Sequence, residues 1–153
     1  MFRRHPILST LTVLYLAVVG WVTLGPQPFD EHTGGWIYHI LDIFQAHDLT
    51  SWITYDRLEF MSNVGMFLPI GLFFLLLFGR RRWWLAILFG FALTVGIETA
   101  QLYIPGRVSD IRDVISNTTG AIIGVLIGLI LTAPKARRLR VQAQSRMPAA
   151  SGR

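Results

Sequence analysis

The sequence predicts an all-α polytopic membrane protein: a four-transmembrane-helix bundle with a short interfacial helix in its first outer loop. Two observations carry this. The 153 residues are 52% hydrophobic and only 15% charged, with a mean hydropathy of +0.48, far from the charge content of an ordinary soluble domain. The apolar residues are also gathered into four runs, each close to the ~20 residues of helix needed to cross a ~30 Å hydrocarbon core. Backbone groups in lipid must be paired internally, and runs of this length are too long for barrel strands, so the spans are helices.

The runs fall at about 7–24, 60–79, 83–103 and 114–132. Together residues 1–132 form one membrane domain, and residues 133–153 a basic tail. The first run follows Arg3 and Arg4, as a signal peptide would. Its apolar stretch is long for that and no Ala-x-Ala site follows, so it is expected to remain as a span. Basic residues set the orientation. Of the fourteen, eleven lie before the first span, in the Arg80–Arg82 turn, or after the fourth span. In a four-span chain these segments share one side, which the positive-inside rule makes cytoplasmic for both termini. The net charge of +5 is thus read as anchoring, and nucleic acid is not expected as a partner. With no cysteine, thiolate chemistry and disulfides are excluded.

Between the first two spans, Pro26 and Pro28 end the helix. Ile37, Ile40, Leu41 and Phe44 then recur at i, i+3, i+4, i+7, the apolar face of a short helix lying in the outer interface beside Trp36 and Tyr38. His32, His39 and His47 in the same loop have spacings that fit no compact metal motif. After Pro134 the chain is basic and poor in apolar residues, and is expected to be disordered and drawn to anionic lipid.

The informative residues are polar ones within the spans, where they are expensive and functional by default. In the second span Glu59 and Asn63 share a face, and Pro69 predicts a kink near Gly65. In the third, Glu98 and Gln101 share a face before Pro105 and Gly106 break the helix. In the fourth, Ser109 or Asp110 caps the start, and Asp110, Asp113, Asn117 and Gly120 follow along one side. At 1.5 Å per residue, Glu98 lies roughly 8 Å below its helix end, Asn117 about 9 Å below its helix start and Asn63 roughly 6 Å below Glu59. They can therefore meet at one level, under Arg107 and Arg112, in a polar pocket closed below by apolar packing. Gly120, Gly124 and Gly128 repeat at four-residue spacing and predict close helix contact within the bundle. Asn117-Thr118-Thr119 matches a glycosylation acceptor, but its membrane depth makes the match a chance one.

The Glu59–Gly71 stretch, the Glu98-x-x-Gln101 pair, the Arg107–Gly124 stretch and the Leu24-Gly25-Pro26 exit resemble the VanZ-like family of bacterial membrane proteins, over roughly residues 7–132. The resemblance implies a small protein of the bacterial cytoplasmic membrane, and a family whose founding member is associated with teicoplanin resistance. It does not imply a defined reaction.

Three functions are open to such a pocket. An enzyme acting on lipid head groups or lipid-linked envelope precursors would use Glu98 as general acid or base. Asp113 or Glu59 would orient a nucleophile or hold a divalent cation. Asn63, Gln101, Asp110 and Asn117 would bind substrate polar groups, and Arg107 a phosphate. A lipid- or antibiotic-binding protein, or a scaffold, would use the same pocket without chemistry. A transporter would need polar residues through the whole membrane, and the inner halves are apolar. No residue pattern names a cofactor, a metal or an oligomeric state.

Overall fold

The structure is a computed structural model that describes residues 6–25, 43–44, 46–47, 50, 52–107 and 109–145, with side chains as far as residue 134. Its regular elements are helical: α1 (Pro6–Leu24), α2 (Tyr55–Phe78), a 3-10 turn (Arg80–Arg82), α3 (Trp83–Gln101) and α4 (Ile111–Ser145). Four helices are long and apolar enough to cross a membrane. Of the interfacial helix expected over Ile37 to Phe44, only residues 43 and 44 are among those described.

The helices outrun the apolar runs that announced them. α2 begins at Tyr55 rather than Phe60, because Thr54 caps it: its side chain accepts from the Arg57 amide at 3.4 Å, and Asp56 sits in the first turn where the helix dipole favours it. α4 begins at Ile111, because Asp110 Oδ1 accepts from the Arg112 amide at 2.8 Å. α3 stops at Gln101, and tight bonds such as Ile104 N to Gln101 O at 3.1 Å close its last carbonyls before Gly106 turns with φ 81°. At the other end α4 continues through Pro134 to Ser145, where disorder was expected from residue 133. Alanine, arginine, leucine and glutamine dominate 136–145, and their helix propensity carries the helix past a proline whose lost bond water can replace. Residues 146–153 lie outside those described. α2 likewise remains one helix through Pro69. Close by, Tyr15 Oη donates to the Met66 carbonyl at 2.8 Å and ties α1 to α2.

α2 and α4 form the central pair, α3 packs on both, and α1 lies against α2 and α3. In lipid there is no hydrophobic force between helices, so contact must come from close fit. Gly120 lies against the Val64 carbonyl and Gly124 against the Leu68 carbonyl, while Gly71 of α2 answers against the Ala121 carbonyl. Gly128 ends the seam on the Leu72 and Leu75 side chains. The glycine repeat is therefore a seam inside the bundle, as its spacing predicts. Around it Phe67, Ile70, Leu75, Ala86 and Val125 are fully buried, and Phe74 stacks between Phe78 and Phe89 with centroids 5.5 and 4.3 Å away. α1 is peripheral and leaves Ile7 and Trp21 exposed.

Arg80 locks the end of the bundle opposite the polar residues. Its Nη1 donates to the Leu129 carbonyl and, at 2.7 Å, to Thr132 Oγ1. Arg80→Ala is expected to cost about 1.5 kcal/mol, the scale of hydrogen bonds to a charged group. Arg82→Ala, at an exposed position, is expected to stay within about 0.5 kcal/mol. Thermal unfolding of the two variants in detergent checks the difference.

Candidate functional site

Helical spacing gathers the polar residues at one end of the bundle. On α3, Thr94, Glu98 and Gln101 follow at steps of four and three, and all three are buried. On α4, Asp110, Asp113 and Asn117 follow in the same way, and on α2, Glu59 and Asn63.

Glu98 holds the connection between α3 and α4. It is 6% exposed, and its Oε2 accepts from Ser109 Oγ and from the Asp110 amide, both at 2.9 Å. A carboxylate on one helix thus binds the start of the next, where unpaired amides and the helix dipole favour negative charge. Its Oε1 has no hydrogen bond among the described residues. Across α4, Asn63 Nδ2 donates to Asp113 Oδ1 at 2.8 Å and fixes that carboxylate. Glu59, Glu98 and Asp110 all lie within electrostatic range of Asp113, so three further carboxylates gather around the one in the first turn of α4.

The single pocket expected from the sequence is divided in two by that turn. Between α3 and α4 runs a groove of about 370 Å³ with Phe91, Val95, Leu102 and Val114 on its walls and Glu98 and Asp110 at its head. Between α2 and α4 lies a cleft of about 10 Å³, lined by Asp56, Glu59, Asp110, Arg112 and Asp113, with room for a water or a small ion. Among the described residues no three His, Asp or Glu side chains form a group able to hold a metal ion.

Other expected site residues are drawn elsewhere. Arg107 turns away from both clefts and donates through Nη2 to the Gly25 carbonyl at 2.6 Å and the Val22 carbonyl at 3.3 Å. The open C-terminus of α1 attracts a cation, so the guanidinium expected to hold a phosphate secures α1 instead. Gln101 Nε2 donates to the Thr23 carbonyl at 2.9 Å, again tying α1 to α3. Asn117 Nδ2 donates to Thr94 Oγ1 at 2.9 Å below the groove. Among the described residues, Gln101 Oε1 and Asn117 Oδ1 are buried without a partner. Neither Gln101 nor Asn117 lines the groove or the cleft.

Two participants were missed. Thr94 reads in the sequence as an ordinary threonine in an apolar span, although its place one turn before Glu98 puts it on the polar face. Asp56 pairs with Arg112 at 3.3 Å and lines the small cleft. It falls outside a span begun at Phe60, and the Thr54 cap was the signal that would have included it.

Removing both Asn63 and Asp113 is expected to cost less than the sum of the single alanine variants, with a coupling of about 0.6–1.7 kcal/mol, the range of polar contacts between membrane helices. A double-mutant cycle on unfolding in detergent measures it, and additive effects would deny the pair.

A sequence model of the VanZ/LLP1 family matches residues 12–132. No curated protein and no solved structure matches the chain.

Proposed function

The chain belongs to the VanZ/LLP1 family, and we propose that it binds a membrane lipid or lipid-linked envelope precursor between α3 and α4 and acts on its head group. The observation that carries this reading is the groove itself. Its walls are apolar, its head is acidic, and it opens on faces where Leu102 is 68% and Ile111 is 70% exposed. An amphiphile needs that division, with chains along the helices and the polar part at the helix ends.

In this reading the bundle sits in the bacterial cytoplasmic membrane with both termini inside. The Arg80–Arg82 turn marks the inner face, and the groove's head lies at outer head-group depth. Glu98 presents Oε1 to the head group as general acid or base while Oε2 holds the turn. Asp110, beside it, contacts the head group's polar atoms. Asp113, oriented by Asn63, and Glu59 face the adjoining cleft, where a water would lie between carboxylates. Asn117 and Gln101 support from below and behind.

A second reading has an observation in its favour. Glu98 already accepts two bonds from the turn, a structural duty that a purely binding groove would also require. Comparing envelope lipids by mass spectrometry in wild type, a deletion strain and Glu98→Gln separates the readings. A mass change on deletion, copied by Glu98→Gln with the protein inserted and stable, supports chemistry. Identical lipids in all three strains remove the enzymatic part and leave binding.

Val95 lines the groove from α3. Val95→Trp is expected to lower retention of groove-bound lipid at least about tenfold, by filling space a ligand requires. Unchanged retention would deny that the groove is occupied.

A further inference from the structure

We infer that the groove selects amphiphiles with a cationic head group, its ammonium seated at Glu98 and Asp110. This rests on the reading of the groove as a lipid site and adds the charge class of its ligand.

Among the described residues, the polar end of the bundle has five carboxylates: Asp56, Glu59, Glu98, Asp110 and Asp113. Its three arginines are all engaged. Arg57 Nη1 donates to the Trp52 carbonyl at 2.6 Å, and Arg107 is spent on the carbonyls ending α1. Arg112 pairs with Asp56. The groove's head therefore has two carboxylates, Glu98 and Asp110, and no basic side chain on its lining. The amides at the start of α4 offset part of this charge. They do so at Oε2 of Glu98, on the side of the turn. Oε1 belongs to a side chain more than nine-tenths buried that lines the groove, and it has no donor among the described residues.

Two carboxylates at the head of an apolar groove, with no basic side chain beside them, favour a cation there by charge alone, and an ammonium supplies it. A phosphate in the same place would face two carboxylates without a cation to offset them. Size agrees. The groove, at about 370 Å³, has the volume of a small-molecule site. That is room for a head group and the start of a chain, the remainder lying along the exposed apolar faces of α3 and α4. A soluble amine would leave those walls uncovered, so the ligand is an amphiphile.

The test uses the full chain in non-ionic maltoside micelles and three lipids with identical oleoyl chains: dioleoyl-trimethylammonium-propane, dioleoylglycerol and dioleoyl phosphatidic acid. Native mass spectrometry gives the affinity for each. The cationic lipid is expected to bind at least tenfold tighter than the anionic one, with the neutral lipid between. Glu98→Gln, which keeps an acceptor for the turn, is expected to reduce that ratio below threefold. Asp110→Asn, which keeps the helix cap, should reduce it as well. Val95→Trp should weaken the cationic lipid at least tenfold, which places its binding in the groove. Equal affinities for the three lipids, all weakened by Val95→Trp, would overturn the charge selection and leave the lipid groove standing. Tighter binding of phosphatidic acid would also overturn it. A cationic preference unmoved by Val95→Trp would assign the binding to acidic surface elsewhere and overturn both.

Discussion

Gly124→Leu is expected to destroy the folded bundle, with a loss of about 3 kcal/mol or more, at the upper end of overpacking effects. A β-carbon at this position would enter the Leu68 carbonyl and crowd the Leu72 amide, so the obstruction is backbone and no rotamer relieves it. Relief requires α2 and α4 to separate, and that separation would open the seam from Gly120 to Gly128. Gly96 supplies the contrast. A β-carbon there meets nothing within 4 Å, so Gly96→Ala is expected to be neutral or stabilising by up to about 1 kcal/mol, from helix propensity alone. Opposite signs for two glycines in apolar spans, read by thermal unfolding in detergent, would establish the seam. Equal effects would show that close approach does not hold α2 to α4.

Glu98 should separate by chemistry when replaced in two ways. Glu98→Ala removes the acceptor for Ser109 Oγ and the Asp110 amide, and is expected to cost about 1.5–3 kcal/mol, the range for hydrogen bonds to a charged group. The α3–α4 turn should then open, with faster amide exchange at Ser109 and Asp110. Glu98→Gln retains an acceptor oxygen, so the turn and most of the stability should survive while the charge is gone. Function lost in both variants, with stability lost only in the first, would assign the charge to ligand and the geometry to the turn. If Glu98→Gln also keeps full function, the carboxylate is a latch and nothing more.

The membrane architecture was legible because its causes are local. Span length follows from bilayer thickness, and the glycine seam from spacing along one helix. The same holds for the polar faces: Glu98 with Gln101, Glu59 with Asn63, and Asp113 with Asn117 each share a helix side by periodicity. What spacing does not give is the rotation of one helix against another. Asn117 therefore meets Thr94, and Gln101 meets α1, where both were expected in one pocket. Arg107 was read as a free cation because the carbonyls of Val22 and Gly25 are distant in sequence and announce nothing in it. The helix ends moved for a different reason. Apolar runs mark the hydrocarbon core, whereas caps such as Thr54 and Asp110 mark the helix. The division into a groove and a small cleft follows from α4 starting at Ile111, one turn earlier than its apolar run.

The occupancy of the groove can be read in living cells with a benzophenone-bearing amino acid placed at Leu102, on the groove wall, and separately at Leu131, an exposed position far along α4. After irradiation, mass spectrometry identifies the lipid crosslinked at each. One lipid class strongly enriched at position 102 over position 131, and lost on adding Glu98→Gln, is the expected result. The same bulk phospholipid profile at both positions would contradict a specific lipid site between α3 and α4.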